Sequence, residues 1–270
     1  MPQDPWQIQL LKKSLKKKEK LALIEKGLAF DPRRKALDLG CAQGVLSYYL
    51  RRKGGFWVST DQDLANLKTA RSLLRDNLVR IAPGPLPFRS ASFDLVASLD
   101  YLEHLDDDQQ CLDEIGRVLK KDGELILVTP HTGKFFVLHK LRSALGLKLE
   151  DFGHKREGYS LQEIRSKLRR ARLRPVLDKT YSRFFVEFLE LVLNFLYIKV
   201  LSREPEEKLR DGRIKPSTSA EFETQKKSFR IYSFIYPLVW LCSRLDALLF
   251  FHKGYSLIVW ARKDLTPESD

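Results

Sequence analysis

The chain has 270 residues, with 48 lysines and arginines against 35 aspartates and glutamates, so its formal net charge is +13. This length suits one large domain with an appendage, and the excess of positive charge indicates anionic partners. Three widely spaced cysteines, Cys41, Cys111 and Cys242, argue against a disulfide framework and a zinc site and favour a reducing, cytosolic environment. The N-terminus is polar and rich in lysine without a following apolar core, so no secretory signal is expected.

Residues 1–30 are interpreted as a basic amphipathic N-terminal helix. From Ile8 to Leu21 the pattern puts aliphatic residues on one side of the helix and lysines on the other. Two interpretations stay open. The helix can bind an anionic lipid surface, to which each basic residue contributes about 1 kcal/mol, or it can pack its leucines on the rest of the domain.

An apolar strand from Ala36 to Leu39 leads into a turn that contains Gly40 and Gly44, and a helix follows. The two glycines remove side chains where the backbone must bend and where a ligand must come close. Asp38 places a carboxylate at the end of the strand, which disfavours a phosphate. The dinucleotide pattern G-x-G-x-x-G is not matched, and no P-loop sequence follows. The turn therefore predicts a nucleotide-sized ligand without a phosphate at this point.

Strand and helix patterns alternate along the part of the chain that forms the predicted core, residues 31–183. Strands are predicted near 35–39, 56–60, 78–81, 93–98, 123–129 and 174–181, and helices near 45–53, 64–76 and 108–120. This alternation predicts an α/β fold with a doubly wound, mostly parallel sheet. The ligand crevice of such a sheet lies at the carboxyl ends of the strands, where Asp38, Asp61 and Ser98 to Asp100 fall.

Three further segments follow the glycine turn in order: LPFRSASFDLVAS at 86–98, LEHL at 102–105 and RVLKKDGELILVTP at 117–130. Together with LDLGCAQG at 37–44, they resemble the motifs of class I S-adenosylmethionine-dependent methyltransferases, in particular the methyltransferase type 11 group. The resemblance implies a seven-stranded Rossmann-like sheet. It also implies S-adenosylmethionine as the cofactor, and this sulfonium cation suits an acidic turn.

The same resemblance assigns cofactor contacts. Asp61, at the end of the second strand, can accept hydrogen bonds from both ribose hydroxyls. The predicted cofactor-binding residues are Asp38, Gly40, Cys41, Gly44, Asp61, Gln62, Ser98 and Leu99. Members of the family often carry an aspartate for the adenine amino group shortly before the LPF segment, where this chain has Ala82. We therefore expect backbone groups or packing near Pro83 and Leu86 to hold the adenine.

Methyl transfer from a sulfonium is an in-line displacement that depends mainly on positioning and on exclusion of water. A general base is needed only for a hydroxyl or protonated amine acceptor, and His104 and His131 are the catalytic candidates. Asp100, Glu103 and His104, together with His154, also resemble the pattern by which small-RNA 3′-end methyltransferases and some quinone O-methyltransferases bind a divalent metal. In the alternative interpretation, Glu103 and His104 cap the following helix and hold the acceptor loop.

The remaining residues give the chain its individual character. The predicted parts are the N-terminal helix (1–30), the cofactor-binding core (31–183), a hydrophobic helical insertion (184–253), and a final strand with a tail (254–270). In the insertion, apolar stretches at 184–201 and 231–251 flank a charged segment at 203–228. Charges interrupt both stretches, so neither is a clean transmembrane span. The insertion can cover the crevice, form a core or dimer contact, or lie in a membrane interface.

Three hypotheses for the function remain. The leading one is a methyltransferase that acts on a lipid or lipid-linked acceptor, in peripheral contact with anionic lipid at the cytoplasmic face of a membrane. The second is an RNA methyltransferase, with or without a metal. It is supported by the net charge and by a basic run consisting of Arg165, Lys167, Arg169, Arg170, Arg172 and Arg174. The third is a cofactor-binding scaffold whose insertion docks onto a partner protein.

Overall fold

The computed structural model of the protein describes residues 4–133, 136–196 and 218–264. The strands are β1 (Lys35–Leu39), β2 (Phe56–Asp61), β3 (Leu78–Arg80), β4 (Phe93–Leu99), β5 (Leu119–Pro130), β6 (Leu173–Tyr181) and β7 (Ser256–Lys263). The helices are α1 (Trp6–Lys12), α2 (Leu15–Gly27), α3 (Val45–Arg51), α4 (Leu64–Leu74), α5 (Asp108–Val118), α6 (Val137–Ala144), α7 (Leu161–Arg170), α8 (Phe184–Phe195), α9 (Ser219–Thr224) and α10 (Lys226–Ser243). Short 3₁₀ helices cover Leu102–His104, Glu150–Phe152 and Arg244–Leu249.

The described strands form one sheet in the order β3-β2-β1-β4-β5-β7-β6. Neighbouring strands from β3 to β5 in this order run parallel, whereas β7 runs antiparallel to both β5 and β6. This confirms the predicted doubly wound, mostly parallel seven-stranded sheet with a helical insertion before the last strand. The reversed final strand is inserted between β5 and β6, so β6 forms the edge of the sheet.

Both faces of the sheet are covered by helices, which explains why its central strands are almost continuously apolar. Side chains alternate across β1. Leu37 and Leu39 belong to the core cluster that contains Ile115 of α5 and Leu168 of α7. Ala36 belongs to the cluster on the opposite face, together with residues of α2 and α3. The carboxyl ends of β1, β2 and β4 therefore meet at one edge of a rigid two-sided core.

The N-terminal segment forms two helices rather than the single predicted helix. Ser14 interrupts the segment because its side chain accepts a hydrogen bond from the Lys17 amide and so caps α2. The aliphatic side chains Ile8, Leu11 and Leu21 are buried against the domain. Of the two interpretations, the structure therefore shows the packing of these residues on the domain.

The insertion packs against α2 through its helices. Asp246 is buried, and its carboxylate accepts hydrogen bonds from the amides of Phe185 and Val186 at 2.7 and 3.1 Å, which caps the start of α8. The Tyr232 hydroxyl of α10 donates to the Lys13 carbonyl oxygen at 2.8 Å.

Within the described ranges, no helix combines the length and apolar character needed to cross a bilayer. Residues 197–217, which include most of the predicted charged segment, and the tail after 264 lie outside the described residues.

A buried carboxylate joins α5 to the loop before α7. Asp108 accepts hydrogen bonds from the Tyr159 hydroxyl at 2.8 Å, Arg156 Nη1 at 2.5 Å and Lys167 Nζ at 2.6 Å. Burial alone would raise the pKa of Asp108, but the hydrogen bonds from these partners hold it below the ordinary value of 3.8. The charged form of Asp108 therefore stabilises the fold.

We expect the substitution Asp108→Asn to lower the free energy of unfolding at pH 7 by about 2–4 kcal/mol, because it leaves buried donors without their charged acceptor. The difference between wild type and variant should shrink as the pH falls below 3.8, because the unfolded wild type then binds a proton more readily than the native carboxylate, and it should vanish below the lowered pKa of the folded state. Urea denaturation at several pH values measures both effects.

The matched control is Asp106→Asn, since the Asp106 side chain is 85% exposed and pairs only with Lys155 among the described ion pairs. We expect this change to cost no more than about 1 kcal/mol. Equal unfolding free energies for the two variants would contradict the role given to Asp108.

Candidate functional site

The turn between β1 and α3 adopts a backbone that few residues tolerate. The φ angles of Gly40, Ala42 and Gly44 are 76°, 47° and 80°, all in the left-handed region. At Gly40, an added Cβ would also lie 2.4 Å from Cδ2 of Tyr101, far inside contact distance. Glycine is therefore required at this position both for the backbone angle and for the close approach of the Tyr101 ring.

The end of β2 fixes the turn in place. The amides of Gly40 and Cys41 both donate to the Thr60 carbonyl oxygen, at 2.9 and 2.8 Å. The Ala42 amide donates to Asp61 Oδ2 at 2.8 Å. These three hydrogen bonds hold consecutive amides of the turn against the strand that ends in Asp61.

Asp61 is buried at the carboxyl end of β2. Its second oxygen, Oδ1, accepts from the Asp63 amide at 2.9 Å and from the Asn66 side-chain amide at 3.2 Å. Its carboxylate thus joins the glycine turn to the start of α4. The predicted cofactor residue Gln62 follows it directly, so both residues border the crevice over the turn.

Asp38 and Cys41 are turned into the protein. Asp38 is only 2% exposed, and its carboxylate accepts a hydrogen bond from the Ser47 hydroxyl of α3. Burial raises the pKa of Asp38 to about 6, although the hydrogen bond from Ser47 opposes this shift. Burial also raises the pKa of the Cys41 thiol, which disfavours the thiolate form that acts as a nucleophile. Contact of either side chain with a cofactor stays a prediction.

A hydrogen bond crosses the crevice above the glycine turn. Gln62, after β2, donates from Nε2 to the Tyr101 hydroxyl, after β4, at 2.8 Å. The Tyr101 ring lies directly over Gly40. At the end of β4, Ser98 and Leu99 are buried, and the Ser98 hydroxyl has no hydrogen-bond partner in the described part of the chain. The crevice is therefore lined by polar groups from both flanking strands.

A second group of polar side chains lies beyond β4. Glu103 is fully buried, and neither of its carboxylate oxygens has a hydrogen-bond partner among the described residues. Potential ligand atoms of Glu103, His104 and His154 lie within 4.8 Å of one another. His104 Nδ1 is 2.8 Å from the Gly153 carbonyl oxygen, so the 3₁₀ helix after β4 is tied to the loop that carries His154.

Burial controls the protonation of this cluster. It raises the pKa of Glu103 to about 7, and it lowers the pKa of His104. Burial, followed by the nearby His104, lowers the pKa of His154 to about 3. Both imidazoles are therefore neutral near pH 7, which is the form that accepts a proton or binds a metal.

The other predicted residues of this group have different surroundings. Asp100 does not join the cluster, because its carboxylate pairs with Lys20 of α2, a lysine that is only 3% exposed. The predicted capping of α5 by Glu103 and His104 is wrong, since Asp107 caps this helix by accepting from the Gln110 amide at 2.8 Å.

His131, the second predicted base, is buried at the end of β5. Its Nδ1 is 2.8 Å from the Gly254 carbonyl oxygen, and its ring contacts Phe136 with ring centroids 5.0 Å apart. Burial lowers the pKa of His131. These contacts are enough to explain where the His131 ring lies. Its catalytic role stays a prediction.

A mostly apolar cavity of about 390 Å³ reaches the glycine turn at Gln43. Its wall combines the N-terminal helices with the insertion. Residues that line it include Leu10, Lys13, Glu190, Leu193, Phe222, Phe229, Ile231, Tyr232 and Ile235. The insertion and the N-terminal segment therefore build one chamber beside the crevice, rather than two separate appendages.

Residues 37–127 match the family model described as a methyltransferase domain. Over these residues the chain is similar to class I methyltransferases of the type 11 group. The ubiquinone biosynthesis O-methyltransferase of Pelagibacter ubique is 28% identical over 131 residues, which make up 47% of this chain and 53% of that protein. An uncharacterized methyltransferase of Mycobacterium tuberculosis is 31% identical over 114 residues, 40% of this chain and 54% of that protein. The chain thus spans about half the length of these curated relatives.

Solved structures are similar in fold over most of the chain. The YcgJ protein from Bacillus subtilis superposes with a TM-score of 0.58 at 16% identity, covering 92% of this chain and all of that chain. At this identity the similarity shows the fold alone. The family match and the fold together imply S-adenosylmethionine as the cofactor.

The residues at the turn fit this cofactor. No basic side chain occurs from Asp38 to Gly44, while Asp38 and Asp61 are both buried beside it. This charge distribution favours a sulfonium cation over a phosphate. The unpartnered Ser98 hydroxyl lies at the same edge, and the Tyr101 ring, packed on Gly40, forms the wall of the crevice there.

Three features of the site were not predicted from the sequence: the Tyr101–Gln62 bridge, the Lys20–Asp100 pair and the cavity at Gln43. The bridge joins groups 39 residues apart, and the ion pair joins groups 80 residues apart. The sequence held one local indication of the ion pair. Lys20 lies on the apolar side of α2 near Leu21 and Ile24, where a lysine needs a partner.

We expect Gly40→Ala to weaken binding of S-adenosylhomocysteine, the demethylated cofactor product, by about tenfold or more. The methyl group would strain a left-handed residue at a cost of about 1–2 kcal/mol and push Tyr101 into the crevice. Titration calorimetry on wild type and variant measures the dissociation constants.

Gly146→Ala is the matched control, because Gly146 has a φ of 70° and an added Cβ there would meet no atom within 4 Å. It should lose stability through the same backbone strain and keep the wild-type affinity. Equal affinities for wild type and Gly40→Ala would show that the turn does not hold the cofactor.

Proposed function

We propose that the protein is an S-adenosylmethionine-dependent methyltransferase that acts on an apolar or lipid-linked acceptor at a membrane surface. The observation that carries this proposal is the largely apolar cavity of about 390 Å³ that reaches the glycine turn. Its volume lies in the range of small-molecule sites, roughly 300–1,000 Å³. Because its wall is mostly hydrocarbon, the cavity suits the chain of a lipid better than a sugar or a nucleotide.

When bound, S-adenosylmethionine supplies a methyl group on a sulfonium centre. The protein must hold the acceptor in line with this methyl group and keep water away. Contacts between α2 and α8 serve the second task. Lys16 Nζ lies 2.9 Å from Glu187 Oε2, which also accepts from the Ser182 hydroxyl at 2.8 Å. Lys16 and Glu187 are half-buried, and their pair joins α2 to α8 near the end of β6.

His104 is the better placed of the two candidate bases. A carbonyl oxygen only accepts hydrogen bonds, so the contact with Gly153 assigns the ring proton to Nδ1 and leaves a lone pair on Nε2. The lowered pKa of His104 keeps this lone pair available at neutral pH. His104 can therefore take a proton from a hydroxyl acceptor beside the crevice.

A divalent metal at Glu103, His104 and His154 is the alternative role for this cluster, because an ion bound to His104 Nε2 would take the lone pair that a general base needs. A fully buried carboxylate with two unpartnered oxygens is costly unless a proton or a cation compensates it. Two neutral imidazoles next to it complete a nitrogen and oxygen donor set that suits a transition metal. Such an ion would lower the pKa of an acceptor hydroxyl that binds to it.

The RNA alternative has less support. Two of the basic residues on which it depends form ion pairs within the chain. Lys167 pairs with the buried Asp108, and the exposed Arg165 pairs with Asp178. This leaves less charge for a phosphate backbone. We favour the lipid acceptor and a peripheral position at the cytoplasmic face of a membrane, which the free cysteines and the positive net charge also suit.

The proposed acceptor class is tested by incubating the protein with labelled methyl donor and with separated lipid, RNA and protein fractions of its own cells. We expect label in the lipid fraction, and we expect Gly40→Ala to reduce its incorporation. Label in RNA or protein instead would refute the lipid acceptor. Binding of S-adenosylhomocysteine with no label in any fraction would point to a scaffold.

The metal is tested by thermal unfolding with Mn²⁺. At about 100 times its dissociation constant, the ion should stabilise the wild type by about 2.7 kcal/mol, and a chelator should reverse this gain. Glu103→Gln should remove the gain. The control Glu124→Gln changes an exposed carboxylate that pairs with Arg262, and it should keep the gain. If Mn²⁺ leaves the wild-type midpoint unchanged, the cluster is not a metal site.

A further inference from the structure

Helix α10 and the 3₁₀ helix after it expose an apolar stripe to solvent. Its spacing of three or four residues places most of it on one side of the helix. We call the seven most exposed side chains, each 60–86% exposed, the docking face: Ile231, Phe234, Leu238, Leu241, Leu248, Phe250 and Phe251. Clustered exposure of this kind is uncommon in a surface that stays in water.

The docking face is held outward by contacts on the other side of the helix. Tyr236 is buried in a cluster with Leu15 and Val186. Lys18 Nζ donates to the Tyr236 hydroxyl at 3.2 Å, and the Tyr232 hydroxyl bonds to the Lys13 backbone. Because α10 is anchored through these groups, its apolar stripe cannot turn inward without breaking them.

Charge indicates what covers the docking face. Between residues 226 and 253 the basic side chains are Lys226, which pairs with Glu223, and Lys227, Arg230, Arg244 and Lys253. The single acidic side chain there is Asp246, which is buried and used to cap α8. A second copy of the chain would bring like charges together at this surface. An anionic lipid surface would accept both the apolar stripe and its basic surroundings.

The docking face also adjoins the cavity. Ile231 belongs to the docking face and lines the cavity, and Ile235, one turn further along, is half exposed and lines it too. A bilayer in contact with α10 would therefore lie next to the cavity wall.

We propose that the docking face seats α10 in the plane of an anionic bilayer, with the helix lying along the surface. In this position a lipid acceptor enters the cavity sideways between α10 and the N-terminal helices. The entry route rests on the proposed function, whereas the docking itself does not.

The test is co-sedimentation of the full chain with vesicles of phosphatidylcholine, with and without phosphatidylglycerol. We expect the wild type to bind vesicles that contain phosphatidylglycerol. The double variant Phe234→Ser/Leu238→Ser should bind the same vesicles at least about tenfold more weakly. The matched control is Phe30→Ser/Val176→Ser, which removes two exposed apolar side chains elsewhere and should bind like the wild type. Lys227→Glu/Arg230→Glu should weaken binding only to anionic vesicles.

The proposal is overturned if the wild type stays in the supernatant with anionic vesicles, or if Phe234→Ser/Leu238→Ser sediments as the wild type does. It is also overturned if that variant loses only a self-association seen by sedimentation velocity, because the face would then belong to a second copy. Calorimetry with S-adenosylhomocysteine on the same proteins separates the two proposals. Binding to vesicles without binding of S-adenosylhomocysteine supports docking and rejects the methyltransferase function. Binding of S-adenosylhomocysteine without binding to vesicles rejects docking alone.

Discussion

The site depends on one constraint, the left-handed turn that β1 makes against the end of β2. Two consecutive amides bind the Thr60 carbonyl oxygen and a third binds Asp61, so the turn has a single position relative to the sheet. Glycine at position 40 is what lets Tyr101 approach from β4. The crevice for the cofactor is therefore formed by the sheet edge itself. The N-terminal helices and the insertion, which line the proposed acceptor cavity, are added around it.

The additions come from opposite ends of the chain and meet on α2. This helix contacts the end of β4 through Lys20, α8 through Lys16, and α10 through Lys18. Its Lys20 and Lys16 also lower the pKa of the buried Glu103 carboxyl, against the larger effect of burial. The N-terminal segment, which could bind lipid by its sequence pattern, serves instead to hold the insertion in place. The apolar surface that stays exposed belongs to α10.

The fold could be predicted because its signals are local. Alternating strand and helix patterns gave the parallel sheet, and glycines at 40 and 44 marked the crevice. The start of α7 also depends on a local contact, because the Ser160 hydroxyl accepts a hydrogen bond from the Glu163 amide at 3.2 Å. The site was harder to predict because its pairings are distant in sequence. Asp100 matched a ligand pattern, but Lys20 of α2 pairs with it, and no local pattern reveals such a partner. Likewise Asp107 caps α5 in place of Glu103 and His104, whose side chains face the interior.

The central claim is that the glycine turn, which lies beside two buried carboxylates, binds a sulfonium nucleoside rather than a nucleotide phosphate. Titration calorimetry of the wild-type protein with S-adenosylhomocysteine, ATP and NAD in parallel tests it most directly. The account predicts saturable heat with S-adenosylhomocysteine and none with ATP or NAD. Saturable heat with ATP or NAD and none with S-adenosylhomocysteine would contradict it.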